Sequence, residues 1–369
     1  MLVAGIGAMR TFTIGDHVVS DDGDCFVIAE LGHNHQGRLE QAIELIDAAA
    51  ACGASAVKLQ KRENRALFTE QMYNAIYNSE NAFGETYGAH RDFLEFGRDE
   101  YVALREHADR RGLLFFATAF DRPSADFLRA LDMPAYKIAS GDLTNIPLIT
   151  YIAGFGKPMI VSTGGGTMED VRRAYAAIRP INPNFAILQC TSGYPPAFEE
   201  LNLDVIRTFR DAFPDIQIGL SSHDSGIAMA LVGYVLGARI IEKHFTLNRA
   251  MKGTDHAFSL ERQGLSKLVR DLRRARVAMG DGQKRRFQSE ESPIRKMAKS
   301  LVAARDLPAG HVLGPDDIAA RSPGGGLPPY RLEELLGCRL AAAMTRDQPF
   351  LAEQIPANDR GAVAVGSGA

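Results

Sequence analysis

Short, unbroken apolar runs alternate along most of the chain with stretches whose apolar residues recur at helical spacing. Cys25-Phe-Val-Ile-Ala-Glu30 is a continuous apolar run, the pattern of a strand buried on both faces. Leu39, Ile43 and Ile46 follow at helical spacing, and Gly53 stops that helix. Ala56-Val-Lys58-Leu-Gln60 is the next strand. Further strands are predicted at Leu113–Thr118, Ala135–Ile138, Pro158–Ser162, Phe185–Gln189, Gln217–Ser221 and Ile240–His244. Helical patterns separate them, for example over Met168–Ile178, Asp204–Phe213 and Gly226–Leu236, and a last helix carries the stripe Leu265, Leu268, Val269 and Leu272. Eight strand–helix units in roughly 250 residues predict an α/β fold of the (β/α)8 barrel type over residues 10–280. A doubly wound open sheet is the alternative; it would need fewer strands or a change of strand order.

Three segments fall outside this alternation. Residues 10–23 are polar with Asp-Gly turns and predict a small hairpin covering one barrel end. Residues 62–96 are rich in Asn, Tyr and Glu without a clear period, and their position after the second strand makes them a candidate lid. Residues 281–299 are charged and read as a linker. A compact unit of short strands and turns follows over residues 300–356, and residues 357–369 form a Gly-rich, flexible tail.

Composition narrows the function. The chain has 369 residues, 46% hydrophobic and 24% charged, with a net charge of −3, so neither a nucleic acid nor a membrane surface is the expected partner. Its four cysteines form no CxxC pair, which points to reduced thiols in the cytoplasm. The segment before Met9 is too short and unflanked for a signal peptide, and Met9 is an alternative start. No apolar run approaches the roughly 18 residues of a membrane span.

In a barrel of this class chemistry sits where strands meet the loops that follow them. Each of the eight predicted strands ends on polar groups: Glu30, Lys58 with Gln60, Thr118, Lys137 with Ser140, Ser162, Thr191 with Tyr194, Ser221 with His223, and His244. His223 and His244 stand in two similar contexts, each at a strand end beside Ser or Thr, and two such imidazoles can hold one metal ion. Lys58 and Lys137, converging with Thr118, Ser140, Ser162 and Ser221, make a charge-assisted site for phosphate or carboxylate. Ser162-Thr-Gly-Gly-Gly166 opens a helix and adds free N–H groups for an anion. A lysine Schiff base is the alternative. Glu30 is the acid among these groups, placed to orient or deprotonate a water or simply to pair with a lysine.

These motifs resemble the sialic acid synthases. The resemblance runs through Ile28-Ala-Glu30-Leu-Gly-His-Asn34-His35-Gln-Gly37, Ala56-Val-Lys58-Leu-Gln60 and Tyr136-Lys137-Ile-Ala-Ser140-Gly141. It continues through Ser162-Thr-Gly, Cys190-Thr-Ser-Gly-Tyr194-Pro, Gly219-Leu-Ser221-Ser-His223 and Glu242-Lys-His244-Phe. It extends to residues 300–356, which look like that family's small, mostly β antifreeze-protein-like (β-clip) domain. It implies condensation of phosphoenolpyruvate with N-acetylmannosamine or a related N-acetylated hexosamine, giving a nine-carbon 2-keto acid and phosphate by C–O cleavage. A diacetamido-deoxyhexose leading to a legionaminate- or pseudaminate-type acid is the alternative substrate. The resemblance also implies Mn2+ or Mg2+ on His223 and His244, and phosphoenolpyruvate held by Lys58, Thr118, Lys137, Ser140, Ser162 and Ser221. Glu30 would handle the water or its proton, and Gln60, Asp142, Tyr194 and Asp255 would face the sugar or its reacting oxygens. A homodimer is implied in which Arg321 of one subunit reaches the other's sugar site. The chain departs from the family in two places. Ser222-His223-Asp224 stands where Asp-His-Thr is frequent, and Arg321 is displaced by one from the usual Arg-Pro-Gly. Two rivals remain in view: a synthase acting on a phosphorylated sugar, and a non-catalytic sugar- or ice-binding protein. The first would want extra arginines at the barrel mouth, and no such cluster shows in the sequence; the intact set of strand-end groups argues against the second.

Overall fold

The computed structural model describes residues 10–354; the alternative start at Met9, the last two residues of the predicted C-terminal unit and the tail 357–369 lie outside the described residues. Two short strands, β1 (Thr11–Ile14) and β2 (His17–Ser20), form an antiparallel hairpin. Eight more follow: β3 (Phe26–Gly32), β4 (Ala56–Lys61), β5 (Leu114–Ala119), β6 (Tyr136–Ile138), β7 (Met159–Ser162), β8 (Phe185–Cys190), β9 (Gln217–Ser222) and β10 (Ile240–His244). They close as a parallel barrel in chain order, β10 pairing back onto β3. The helices outside it are α1 (Leu39–Ala51), α2 (Asn64–Leu67), α3 (Glu70–Tyr73), α4 (Tyr87–Leu94), α5 (Arg98–Arg110) and α6 (Arg122–Ala130). They continue with α7 (Ile146–Ala153), α8 (Met168–Ile178), α9 (Val205–Ala212), α10 (Ala228–Val235) and α11 (Arg262–Met279). The predicted stripe of α11, Leu265, Leu268, Val269 and Leu272, is the face it buries.

The strand pleat sorts the barrel. The outward face of the strands packs with the helices in one large core, from Val27 and Leu59 to Leu272. The inward face forms a second cluster of Phe26, Ile28, Ala56, Phe116, Ala135, Ile160, Ala186, Leu188 and Ile240. Phe12, Ile14 and Val19 of the hairpin belong to this inner cluster, so the hairpin plugs one barrel end as predicted. Side chains alternate faces with period two. Two residues beyond Ile28, Ala56, Phe116, Ala135, Ile160, Leu188, Gly219 and Ile240 come Glu30, Lys58, Thr118, Lys137, Ser162, Cys190, Ser221 and Glu242, all buried. The inside of the barrel thus changes from apolar to polar in one step of the pleat.

Two segments differ from expectation. Residues 62–96, read as a connection without period, contain α2, α3 and α4. Two of these are four residues long, too short to display a helical repeat, and Thr69 and Thr86 cap α3 and α4 through their hydroxyls. The stretch read as a linker contains α12 (Glu291–Met297).

The chain divides into two compact units, one up to Gly280 and one from Asp281. In the second, β11 (Ser300–Ala303) and β12 (Ile318–Arg321) pair antiparallel around a core that includes Leu301, Leu307, Leu313, Leu327 and Phe350.

Candidate active site

The polar ends of the barrel strands line a cavity of about 550 Å3, within the range of roughly 300–1,000 Å3 typical of small-molecule sites. Of the predicted site residues, Glu30, Lys58, Gln60, Thr118, Lys137, Ser140, Ser162, Tyr194, Ser221, His223, His244 and Asp255 all line it. Two do not. Asp142 sits in the turn after β6, where it accepts from Asn145 Nδ2 at 3.0 Å, its neighbour Gly141 facing the cavity instead. Arg321 ends β12 in the second unit and pairs with Asp347.

Both lysines are buried. Lys58 Nζ lies 2.5 Å from Glu30 Oε2, 2.9 Å from Thr118 Oγ1 and 3.9 Å from Glu242 Oε2. Glu30 thus takes the plainer of its two readings in this state, pairing with a lysine; Gln60 Nε2 also donates to its Oε1 at 2.8 Å. Lys137 Nζ donates to Ser162 Oγ at 2.5 Å and to Ile138 O at 2.8 Å, and burial lowers its pKa. Gly164 N donates to Ser140 Oγ at 3.0 Å. A Cβ at Gly164 would stand 2.1 Å from Ser192 Oγ, so the glycine lets the loops after β6, β7 and β8 close on one another.

The two acids differ. Burial raises the pKa of Glu30 against the pull of Lys58. Burial also acts to raise Glu242, but Lys58 and Lys137 outweigh it and bring the group down to about 2. Ser221 Oγ donates to Glu242 Oε1 at 3.0 Å.

The rings of His223 and His244 lie 5.3 Å apart between centroids. His223 Nδ1 is 3.0 Å from Thr191 O; a carbonyl only accepts, so Nδ1 carries a proton and Nε2 is the nitrogen left for a metal. Burial lowers His244 to about 3, leaving a neutral imidazole, and its Nδ1 has no hydrogen-bond partner. Asp255 Oδ2 is 3.7 Å from that nitrogen. Among the described residues no group of three or more His, Cys, Asp or Glu is gathered to hold an ion. Burial acts to lower His223 as well, but its contacts with Cys190 and the Thr191 carbonyl outweigh that and raise it; with His223 in its neutral form the two imidazoles fit the protein's share of an open metal site, in which water and substrate fill the other positions. Tyr194 packs on His223 at 4.3 Å between centroids, and burial pushes its phenol up to about 12, so it remains a donor at neutral pH.

Five ionisable lining residues were not assigned from sequence: Glu242, Cys190, His33, Arg62 and Arg91. Glu242 stands two before His244 and so shares its inward face; Cys190 stands two after inward-facing Leu188. The same alternation would have found both. The absence of arginines at the mouth is a correction: Arg62 follows β4, Arg91 comes from α4, and both line the cavity. They are 29 positions apart in sequence (91 − 62), joined only by the fold of residues 62–96.

The fold and site define the class: a barrel enzyme whose strand ends gather two lysines and several hydroxyls beside a candidate metal pair. Comparison with known proteins gives the family. Residues 45–284 match the NeuB family and residues 298–356 the SAF domain. N-acetylneuraminate-9-phosphate synthase of Homo sapiens is 38% identical over 332 residues, 90% of this chain and 92% of that protein. N,N'-diacetyllegionaminic acid synthase of Legionella pneumophila is 34% identical, covering 90% of this chain and 95% of that protein. The crystal structure of an N-acetylneuraminic acid synthetase from Leptospira borgpetersenii superposes with a TM-score of 0.66 at 34% identity, over 78% of this chain and 95% of that one. The chain belongs to the NeuB family of sialic acid and related nonulosonate synthases.

Proposed function

We propose that the protein condenses phosphoenolpyruvate with an N-acetylated hexosamine, N-acetylmannosamine or a diacetamido-deoxy relative, to give a nine-carbon 2-keto acid and phosphate. The observation that carries this is the meeting of Lys58 and Lys137 with Thr118, Ser140, Ser162 and Ser221 in one buried cavity beside His223 and His244. The lysines and hydroxyls hold the phosphate and carboxylate of phosphoenolpyruvate through charge-assisted bonds. The electron pair of its C2–C3 double bond forms the new bond from C3 to the sugar aldehyde carbon. The aldehyde oxygen takes up a proton. Water adds at C2 and loses a proton. The C2–O bond to phosphate then breaks, the new hydroxyl gives its remaining proton to the departing phosphate, and the C2 ketone remains. Glu30 receives the proton of the incoming water, its raised affinity matching that role. Gln60, Tyr194 and Asp255 face the sugar. His223 and His244 would hold Mn2+ or Mg2+, which supplies Lewis-acid polarisation of the aldehyde when bound.

Phosphate release from phosphoenolpyruvate in the presence of a panel of amino sugars tests the reading. Bridging-18O phosphoenolpyruvate should yield labelled phosphate. No release with any sugar, or unlabelled phosphate, would overturn it. For the metal, chelation should abolish turnover, and His223→Ala and His244→Ala should each lose bound divalent ion at unchanged Tm. Full metal content in both variants would remove the assignment.

A homodimer with Arg321 reaching the partner's site is part of the same reading, motivated by the family resemblance. Arg321→Ala and Glu30→Ala chains, each inactive alone, should recover activity when mixed into heterodimers. No recovery would refute it. A cytoplasmic location is also our reading: the four cysteines are unpaired, and among the described residues no helix is long and apolar enough to cross a membrane.

A further inference from the structure

Asp224 and Lys243 form a buried ion pair that takes no part in the proposed reaction. Lys243 Nζ donates to Asp224 Oδ1 at 2.8 Å and to Asp224 O at 2.6 Å, and the Ser222 hydroxyl donates to the same Oδ1. All three residues are buried, the side chains of Lys243 and Asp224 to 1% and 2% exposure. The pleat places them behind the site. Lys243 lies two residues from Ile241 and two from Phe245, both in the outer core against the helices, and Ser222 lies two residues after Leu220 of the same core. His223 and His244 have the opposite parity and line the cavity.

A charged pair is costly in such a place. Desolvation offsets much of the attraction between two buried charges, and a well-packed apolar pair of the same volume is frequently as stable. The pair therefore explains little as a stabiliser and more as an anchor. The ladder between β9 and β10 ends with Ser222 opposite Lys243, and that between β8 and β9 with Ser221 opposite Cys190. His223 stands past both. Residues 223–227 lie between the end of β9 and the start of α10, and Gly226 among them has a φ of +104°. His244, by contrast, is inside β10 and pairs with Glu30 of β3. One imidazole is thus set by the sheet, and the other by whatever holds the segment after β9. Thr191 O accepts from the His223 ring, and Lys243 grips the next residue by carbonyl and carboxylate together. Lys243 adjoins His244 in the chain as Asp224 adjoins His223, so this clamp joins the two imidazoles through their own neighbours.

We propose that Asp224 and Lys243 are positioning residues, whose bonds fix the backbone after β9 against β10 and so set the separation of the His223 and His244 rings, 5.3 Å between centroids, for one shared divalent ion. This rests on the reading of the two histidines as ligands of Mn2+ or Mg2+. The pair touches neither ion nor substrate. It acts through the backbone and holds the rings before an ion arrives. Ligands held in place beforehand spare the ion the cost of ordering them.

The test is calorimetric titration of the full-length, metal-free chain with Mn2+, for the parent, Lys243→Met, Asp224→Leu and the double variant. Each single change strands one buried charge and should lower Tm; the double change removes both charges and should bring Tm back to that of the parent. Its Kd for Mn2+ should nevertheless stay about ten- to hundredfold weaker than the parent's, the range for groups that orient metal ligands from behind. A merely stabilising pair would recover both together, so parent-like Tm with parent-like Kd in the double variant would overturn the proposal. If the double variant does not fold, Asp224→Asn keeps the shape without the charge and carries the test. Its Kd should be about tenfold weaker, and a parent-like Kd overturns the proposal. The 15N signals of the histidine rings in metal-free protein separate this from the metal reading. In the variant, those of His223 and His244 should shift, while those of His17 on β2 and His107 on α5 should not. If the parent takes up no Mn2+, or His223→Ala takes up as much as the parent, the metal assignment falls, and shifted rings still uphold the pair as what positions them. Unshifted rings overturn the pair's role, whether or not the ion binds.

Discussion

Glu30 and Glu242 flank the same ammonium, that of Lys58, and yet differ in proton affinity. Burial acts to raise both; Lys58, Lys137 and the Ser221 hydroxyl outweigh it at Glu242, while at Glu30 burial, aided by the Glu242 charge, prevails over Lys58. In the proposed reaction Glu242 would stay a fixed counter-charge while Glu30 exchanges its proton. Lys137 is the counterpart on the cationic side. Lys137→Met keeps the bulk and removes the charge, and it should raise the KM of phosphoenolpyruvate about ten- to hundredfold, with a much smaller change for the sugar. Initial-rate kinetics with each substrate varied in turn measures the split; an equal rise in both KM values would place this lysine elsewhere. Borohydride trapping that labelled Lys137 would revive the Schiff-base alternative.

The hairpin of β1 and β2 is an element with a single task, filling the barrel end away from the site. Phe12 is wholly buried among the inward residues. Phe12→Ala should cost about 3–5 kcal/mol in chemical denaturation, from lost transfer energy and the cavity left behind, while both KM values stay unchanged. A changed KM would mean that the plug and the site are coupled. Elements of this kind were legible in the sequence because the barrel's order is local. Each strand's period and each polar strand end are written within about six residues, and so Lys58, Lys137, His223 and His244 could be read from their own segments. The Arg62–Arg91–His33 cluster could not. It depends on how residues 62–96 fold back, through helices too short to leave a periodic trace. Asp142 failed for a related reason: the tight turn after β6 points Gly141, not its neighbour, at the cavity.

At the scale of the whole molecule, the second unit carries a carboxylate through which acid would act on it. In the second unit Asp317 accepts from His311 Nε2 at 2.7 Å, Arg305 Nη2 at 2.7 Å and Gly314 N at 2.9 Å, and these contacts, the Gly314 N–H first, lower it from 3.8 to about 2. A carboxylate with a depressed folded pKa stabilises above its unfolded value and loses that contribution as pH falls. Residues 300–354 should thus lose protection from hydrogen exchange between about pH 4 and about pH 2. Asp317→Ala should cost this unit about 1–3 kcal/mol at neutral pH and flatten the acid response, because it removes the buried carboxylate that accepts from His311, Arg305 and the Gly314 N–H. Identical exchange profiles for variant and parent would refute the assignment. The barrel raises a different matter. Its inner wall passes from grease to polar groups within two residues on every strand, so the positions that decide whether the chain folds and those that decide whether it reacts are next-but-one neighbours. A library covering every substitution, sorted once for abundance and once for turnover, should return two interleaved sets of positions with hardly a shared member. Along each strand the abundance set should break off where the turnover set begins. Lineages of this protein could then change what they synthesise by altering one ring of side chains, with the ring beneath it unaffected.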